Sequence, residues 1–344
     1  MRVIAPAPRE PWREVLARDP HALPEHAPEW IDAMVARGAY EDASRLYEFS
    51  DGRRFVLPLV RRRGPSAPGG WYGSYPTGWG IGGLAGAGVD AGVVAAVVDD
   101  LRSLDAVRVT VRPDPLQAHA WAAVDGPGIT RIARRAHVID LSGGVEAVRA
   151  RLPRSTRRGI RVAERHGVRV ERDWDGSLLP LYYELYLTSL KRWAAHQHEP
   201  VALARLRGVR RDPVDKFYEL AARLGDAFRV YIAFVDDRPA AGSISLFGRT
   251  AHDTRGAMDR DLATRPRANE LLQWTTITEA CAAGCSVYHL GESGRSASLA
   301  QFKERFGARP VDYAEIRIER LPVTRIDGAV RSGVKRLLGF RDAG

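Results

Sequence analysis

The sequence predicts an α/β fold, of the α+β kind with mixed twisted sheets flanked by helices, divided into two domains. Three observations lead there. Segments of helical and of strand periodicity alternate along the whole chain. Its 344 residues exceed what one ordinary core encloses and suit two domains of about 150 to 190 residues each. A composition of 45% apolar and 27% charged residues is that of a soluble globular protein with apolar mass for a large core.

In chain order, the spacing predicts a helix over 28–37 and alternating segments over 44–50 and 53–60. Asp51 and Gly52 between them suit a hairpin turn. Residues 64–84, GPSAPGGWYGSYPTGWGIGGL, are too rich in Gly and Pro for a regular helix or a central strand and read as an ordered loop. A helix near 89–103 and a strand at 106–112 close the first α/β unit, whose boundary is set near residue 136.

The second half opens with a strand at 137–141 and a helix from about Val145 that Pro153 divides. Pro153 suits the first turn of a new helix over 154–166, ended by Gly167 and followed by a strand at 168–172. Helices follow at 178–196 and 213–224, then strands at 228–235 and 240–247 paired across Asp236 and Asp237, and another near 251–258. A helix over 268–283, Gly284 as its C-cap and a strand at 286–290 make the most regular β–α–β feature. A short helix at 298–306, a strand at 311–319 and a terminal helix at 328–338 complete the reading.

No run approaches the roughly 20 apolar residues of a membrane span, and the N-terminus lacks the apolar centre of a signal peptide. A cytoplasmic location is expected. Cys281 and Cys285 lack a second pair to complete a zinc site and read as buried thiols in a reducing compartment. No Walker loop or dinucleotide glycine pattern follows a strand, so neither metal nor bound cofactor is expected. The net charge is +10 and the basic excess is mostly arginine, which admits a polyanionic partner and also follows from a GC-rich genome.

Four stretches carry a likeness: VIDLSGGVEAVRARLPRSTRRGIRVAERHGVRVE at 138–171, LYYELYLTSLKRW at 181–193, RPRANELLQWTTITEACAAGCSVYHLG at 265–291 and SLAQFKERFG at 298–307. In order and spacing they resemble the C-terminal domain of the FemABX-type transferases, which consist of two GNAT-like domains. The resemblance implies tandem GNAT-like domains, here 1–136 and 137–344. It also implies attack of an acceptor amine on the ester that joins an amino acid to tRNA, forming an amide; sister branches use acyl-CoA instead.

Site residues follow from the same resemblance. Phe302 and Lys303 match the family's active-site Phe-Lys pair, and a fixed ammonium at Lys303 would stabilise the developing oxyanion. On its short helix Lys303 is expected at the flank of an apolar face of Leu299, Phe302 and Phe306; a solvated lysine is the plain alternative. Arg192, with Trp193 beside it, stands where relatives grip an anionic part of the acceptor, although a helix-end arginine also suits the macrodipole.

Nine arginines lie between residues 149 and 172, and Arg154, Arg158, Arg161 and Arg165 form one helical stripe with Arg157 next to it. The stripe could follow a tRNA phosphate backbone or be a solvated face. Trp71 and Tyr75 could stack on substrate or pack the first domain. Asn269 occupies a place where GNAT enzymes offer backbone N–H groups to a pyrophosphate; without the usual glycines it reads equally as an N-cap. His289 and Glu292, expected at a strand end facing the cleft, and Asp253 are candidate bases.

The function expected is aminoacyl transfer from aminoacyl-tRNA to an amine, either a peptidoglycan precursor or a specialised-metabolite intermediate. An acyl-CoA-dependent N-acyltransferase is the first alternative and a non-catalytic RNA-binding protein the second.

Overall fold

Asp236 and Asp237 both adopt left-handed backbone angles, φ 49° and 57°, which is what a two-residue hairpin between twisted strands requires. They join strands β10 (Phe228–Val235) and β11 (Arg238–Phe247), paired in register from Val235↔Arg238 to Phe228↔Leu246 across one irregularity. Both strands are almost wholly buried because helices cover both faces. In the computed structural model, which describes residues 1–64, 69–294, 296–324 and 326, the chain divides into two units. The first comprises Met1–Ala136 with the described residues from Val311; the second is His137–Pro310.

In the first unit β1 (Arg2–Ile4), β3 (Arg45–Glu48) and β4 (Arg54–Leu57) form a small sheet, with helices α1 (Arg9–Arg18) and α2 (Pro28–Ala36) preceding β2 (Tyr40–Asp42). The larger sheet runs β2, β5 (Val60–Arg62), β6 (Trp71–Ser74), β7 (Arg108–Val111) and β14 (Arg309–Glu319). Helix α3 (Ala91–Ser103), capped by the Asp90 carboxylate on the Val93 N–H, connects β6 to its parallel neighbour β7. Residues 71–74 are therefore a central strand, contrary to the loop reading. The glycines of that stretch flank or punctuate the strand without preventing Trp71 to Ser74 from extending beside Arg108 to Val111. The final strand also departs from expectation. From Val311 onward it counts with the first unit, because β14 pairs antiparallel with β7 from Ile316↔Val111 to Glu319↔Arg108.

Strand β8 (Ile129–Asp140) passes from the first unit to the second. There follow α4 (Gly144–Arg151), α5 (Arg154–Arg165), β9 (Arg169–Asp173), α6 (Leu179–Gln197), α7 (Val201–Arg211) and α8 (Val214–Leu224). After the β10–β11 hairpin come β12 (Ala251–Met258), α9 (Arg260–Thr264), α10 (Ala268–Ala282), β13 (Val287–Glu292) and α11 (Ala297–Glu304). The strand order is β13-β12-β11-β10-β9. Only β12 and β13 are parallel in that run, and their crossover contains α10. Each unit thus has one parallel pair joined through a helix within an otherwise antiparallel sheet, the signature of a repeated architecture.

The period-2 rule assigns the helices of the second unit to faces. Tyr231 and Ala233 of β10 join a core with Ile160 of α5 and Leu272 and Ile277 of α10. On the opposite face, Ile232 and Tyr182 of α6 close over Gly242, where an added Cβ would lie 2.9 and 3.1 Å from them. Pro153 is the residue before α5 rather than part of its first turn. Helices α1 and α7 were not foreseen from periodicity, and the expected terminal helix at 328–338 lies outside the described residues.

Candidate active site

Ser243 and Ser245 alternate with Ile244 and Leu246 along β11, so both hydroxyls face the same way. Opposite them, β12 carries a bulge: Ile244 pairs with Arg255 and Ser245 with Asp253, leaving Thr254 as the extra residue. A bulge re-aims neighbouring side chains. Here Asp253 Oδ1 accepts from Ser243 Oγ at 2.8 Å, the two serine oxygens lie 3.1 Å apart, and Ser245 Oγ lies 3.1 Å from the Tyr288 hydroxyl. Asp253 keeps some solvent-accessible surface although it lies deep among protein atoms. Burial pushes its carboxyl up to about 6, partly opposed by the Ser243 hydrogen bond and the positive charge of Lys303.

Lys303 approaches from α11 and is only 7% exposed. Its Nζ donates to the carbonyls of Gly291 at 3.2 Å and Glu292 at 2.9 Å. Gly291 has φ 66°, a left-handed angle at the end of β13 that a side chain would strain. Burial lowers the Lys303 ammonium to about 8, and the charges of Asp253 and Glu292 oppose that fall. The lysine therefore does not emerge on the flank of its helix; Leu299, expected in the apolar face, is the exposed residue at 41%. The two carbonyls and the nearby acid make the inward position tolerable for the charge. Phe302 is half-buried, with its ring 5.2 Å from that of buried Phe306.

A second network spans the turn between β13 and α11. His137 Nδ1 lies 3.1 Å from Ser293 Oγ, and its Nε2 lies 3.5 Å from Glu304 Oε1. This ties the residue after Glu292 to the residue after Lys303. Sequence reasoning missed Ser243, Ser245, Tyr288, His137, Ser293 and Glu304; only the i, i+2 spacing of the two serines was a usable signal.

The other expected site residues fall in several places. Arg192 and Ser189, one turn apart on α6, both engage Met258 at the end of β12: Arg192 Nη1 donates to its carbonyl at 2.7 Å and its N–H donates to Ser189 Oγ at 3.0 Å. Burial lowers the Arg192 guanidinium, with Arg260 adding to the effect. Arg192 thus clamps a strand end, and Trp193 packs edge-on against Tyr186 at 6.3 Å. His289 is fully buried inside β13, beside the His252 ring at 6.1 Å, rather than at the strand end; Glu292 ends the strand half-buried. Asn269 is the second residue of α10 and not its cap, a position held by Arg267 at φ 60°.

Trp71 and Tyr75 belong to the first unit. Tyr75 is 2% exposed and its hydroxyl donates to the Glu25 carbonyl at 2.6 Å, so its ring is a packing element rather than a stacking platform. Trp71 lies in β6 with the Arg108 guanidinium 4.7 Å from its ring centre. On α5, Thr156, Gly159, Ile160 and Ala163 face the core. Arg154, Arg158, Arg161 and Arg165 are exposed and Arg157 half-buried, and none of the five has a side-chain hydrogen bond or ion pair among the described residues.

Residues 150–304 match the family model described as "Acetyltransferase (GNAT) domain". That stretch has a GNAT-like fold. The matched residues include Asp253, Lys303, Arg192 and all five α5 arginines. FemX has the same overall fold at 12% identity and TM-score 0.65, with 95% of this chain and 99% of that one covered. A conserved protein of unknown function from Bacteroides thetaiotaomicron aligns at 11% identity and TM-score 0.55, covering 91% and 98%. A tandem GNAT protein from the clavulanic acid biosynthesis pathway aligns at 14% identity and TM-score 0.50, covering 92% and 97%. No curated protein matches the chain by sequence. The likeness to the FemABX-type transferases thus extends to a shared fold along nearly the whole chain, with tandem GNAT architecture.

Among the described residues no group of His, Cys, Asp and Glu is placed to hold a metal ion, and no helix is long and apolar enough to cross a membrane. Cys281 and Cys285 are free thiols, half-buried and buried. Chemically, a buried and protonated lysine such as Lys303 can answer the negative charge that develops on a carbonyl oxygen during acyl transfer. One consequence concerns pH. Asp253→Asn removes the charge that helps keep Lys303 protonated, so the alkaline limb of any Lys303-dependent rate, expected near pH 8, should move to lower pH. A pH–rate profile in which that limb stays fixed would separate Asp253 from Lys303.

Proposed function

We propose that this acyltransferase moves an aminoacyl group from aminoacyl-tRNA to an amine, forming an amide. The observation that carries the reading is the row of arginines on α5 whose side chains are unpaired among the described residues, in the same unit as Lys303. Many other arginines of the chain are paired, as Arg45 is with Asp100 and Arg229 with Glu279. Successive phosphates of a nucleic-acid backbone would supply the anions that α5 lacks. The shared fold with FemX supports the same reading.

In the reaction, the amine attacks the ester carbonyl while the Lys303 ammonium steadies the oxyanion and Phe302 bounds the acyl group. The C–N bond forms, the C–O bond to the ribose breaks, and the amine's proton leaves to a base or solvent. Asp253 holds Lys303 charged. Binding two substrates side by side provides much of the acceleration, and no resident cofactor is required. The acceptor is a small or peptidic amine, such as a peptidoglycan precursor or a specialised-metabolite intermediate.

Acyl-CoA is the alternative donor, favoured by the fold shared with a tandem GNAT protein whose own description refers to AcCoA. Retention of a mixed aminoacyl-tRNA pool against acyl-CoA at two salt concentrations decides between them. Salt-sensitive tRNA binding, with deacylation on addition of amines, is expected. The variant Arg158→Glu/Arg161→Glu should weaken tRNA retention by at least tenfold and lower the salt slope by about two. CoA retention without tRNA binding would replace the donor. Tight tRNA binding with no turnover and no response to Lys303 variants would leave an RNA-binding protein.

A further inference from the structure

Helix α7 has its residues the wrong way round for a helix that merely covers a core. Its sequence, VALARLRGVRR, buries only the small residues Ala204 and Gly208. These two, four apart, let the helix lie close against α6: a Cβ on Gly208 would stand 2.6 Å from Leu190 Cδ1. The leucines point away: Leu206 is 67% exposed and Leu203 43%. At about 100° per residue, Leu206 lies diametrically opposite the Ala204–Gly208 edge, with Ala202, Leu203 and Arg210 beside it. Arg205 and Arg207 fall at the two margins of that apolar strip.

The charges are equally one-sided. The helix contains no acidic residue. Arg207 pairs with Glu199 at 2.7 Å and Arg211 with Asp212 at 2.8 Å, whereas Arg205 and Arg210 have no side-chain hydrogen bond or ion pair among the described residues. The strip therefore combines outward leucines with unpaired guanidiniums in a chain of net charge +10.

We infer that α7 docks on an anionic phospholipid surface, leucines entering the headgroup–acyl boundary and arginines at the phosphates. Long basic side chains at the margins of an apolar strip reach outward while their stems stay with the hydrocarbon. An RNA partner would use the arginines and leave Leu203 and Leu206 in water. A second copy meeting face to face would bury the leucines and bring like charges together. The anionic bilayer satisfies both components. Docking there would place the GNAT domain beside an amine displayed at a membrane surface, and the inference stands whichever acyl donor is used.

The test is co-sedimentation of the full-length protein with phosphatidylcholine vesicles, with and without phosphatidylglycerol. Binding is expected only when phosphatidylglycerol is present. Leu203→Asn/Leu206→Asn should weaken it at least tenfold, given the usual transfer free energy of a leucine side chain. Arg205→Gln and Arg210→Gln should each weaken it about fivefold. Because these side chains are exposed, thermal midpoints should not change, which separates lost docking from lost folding. Equal binding to neutral vesicles, absence of binding, or full binding by the leucine variant would each overturn the assignment. A dimer in light scattering that the leucine variant dissociates would assign the strip to a second copy instead.

Discussion

Replacing Lys303 by methionine is expected to reduce the acyl-transfer rate constant by about 10²–10³ while leaving donor affinity nearly unchanged. The loss falls on the chemical step because the ammonium answers charge that exists only after attack. Methionine occupies similar volume, so the buried site should stay filled, although the Gly291 and Glu292 carbonyls lose their donor. Single-turnover rates with saturating donor, measured beside thermal melts, give the result. A rate within a factor of two of the parent, on a folded protein, would remove Lys303 from the chemistry. Lys303 must be protonated to act, so the parent rate should fall as pH rises through about 8. The sign for stability is separate. A lysine whose folded value lies below its unfolded value costs stability when charged, and this cost grows as pH falls from the unfolded lysine range through 8.

Asp212→Asn is expected to destabilise the protein by about 3–5 kcal/mol, which for a domain of this size means a fall in thermal midpoint of roughly 10 °C or more. Asp212 is completely buried and accepts from Lys216 at 2.9 Å, Arg255 at 2.9 Å and Arg211 at 2.8 Å. Burial alone would raise its carboxyl, but Arg255 and Lys216 reverse that and hold it well below the ordinary range. Lys216 is itself lowered to about 7 by burial, with Arg255 adding repulsion and Asp212 opposing both. Neutralising the one acid leaves three cations around an uncharged centre.

Differential scanning calorimetry measures the effect. A midpoint within about 2 °C of the parent would show that the surrounding charges re-pair or hydrate. Lys216→Met should cost less, since Arg211 and Arg255 still satisfy Asp212. Because the folded value of Asp212 is depressed, its contribution is present above the unfolded carboxylate value and is lost as pH falls below it. The parent and Asp212→Asn should therefore converge in stability toward strongly acidic pH.

Local signals in the sequence located the frame of both sites. Asp236 and Asp237 marked the hairpin from which β10 and β11 extend, and the spacing of apolar positions in 268–283 marked α10 and the parallel strand after it. The resemblance picked out Lys303 and Phe302 before any contact was known, and the i, i+4, i+7, i+11 recurrence of arginines set one exposed face of α5. Those features depend on residues near one another in the chain, where turn geometry and helical period act directly.

Contacts between distant segments decided the rest. Only the meeting of β11, β12, β13 and α11 turns Lys303 inward and connects Asp253 to Ser243, Ser245 and Tyr288. Only packing against α6 makes Ala204 and Gly208, rather than the leucines of α7, the buried residues, and a pattern that exposes its leucines gives no amphipathic signal pointing to a core. Strand β6 likewise arises from pairing with β7, whose ladder overrides the poor strand propensity of the surrounding Gly- and Pro-rich residues. Periodicity records which face of an element is apolar; what that face meets, and whether a charge is placed in water or against two carbonyls, depends on the three-dimensional neighbours.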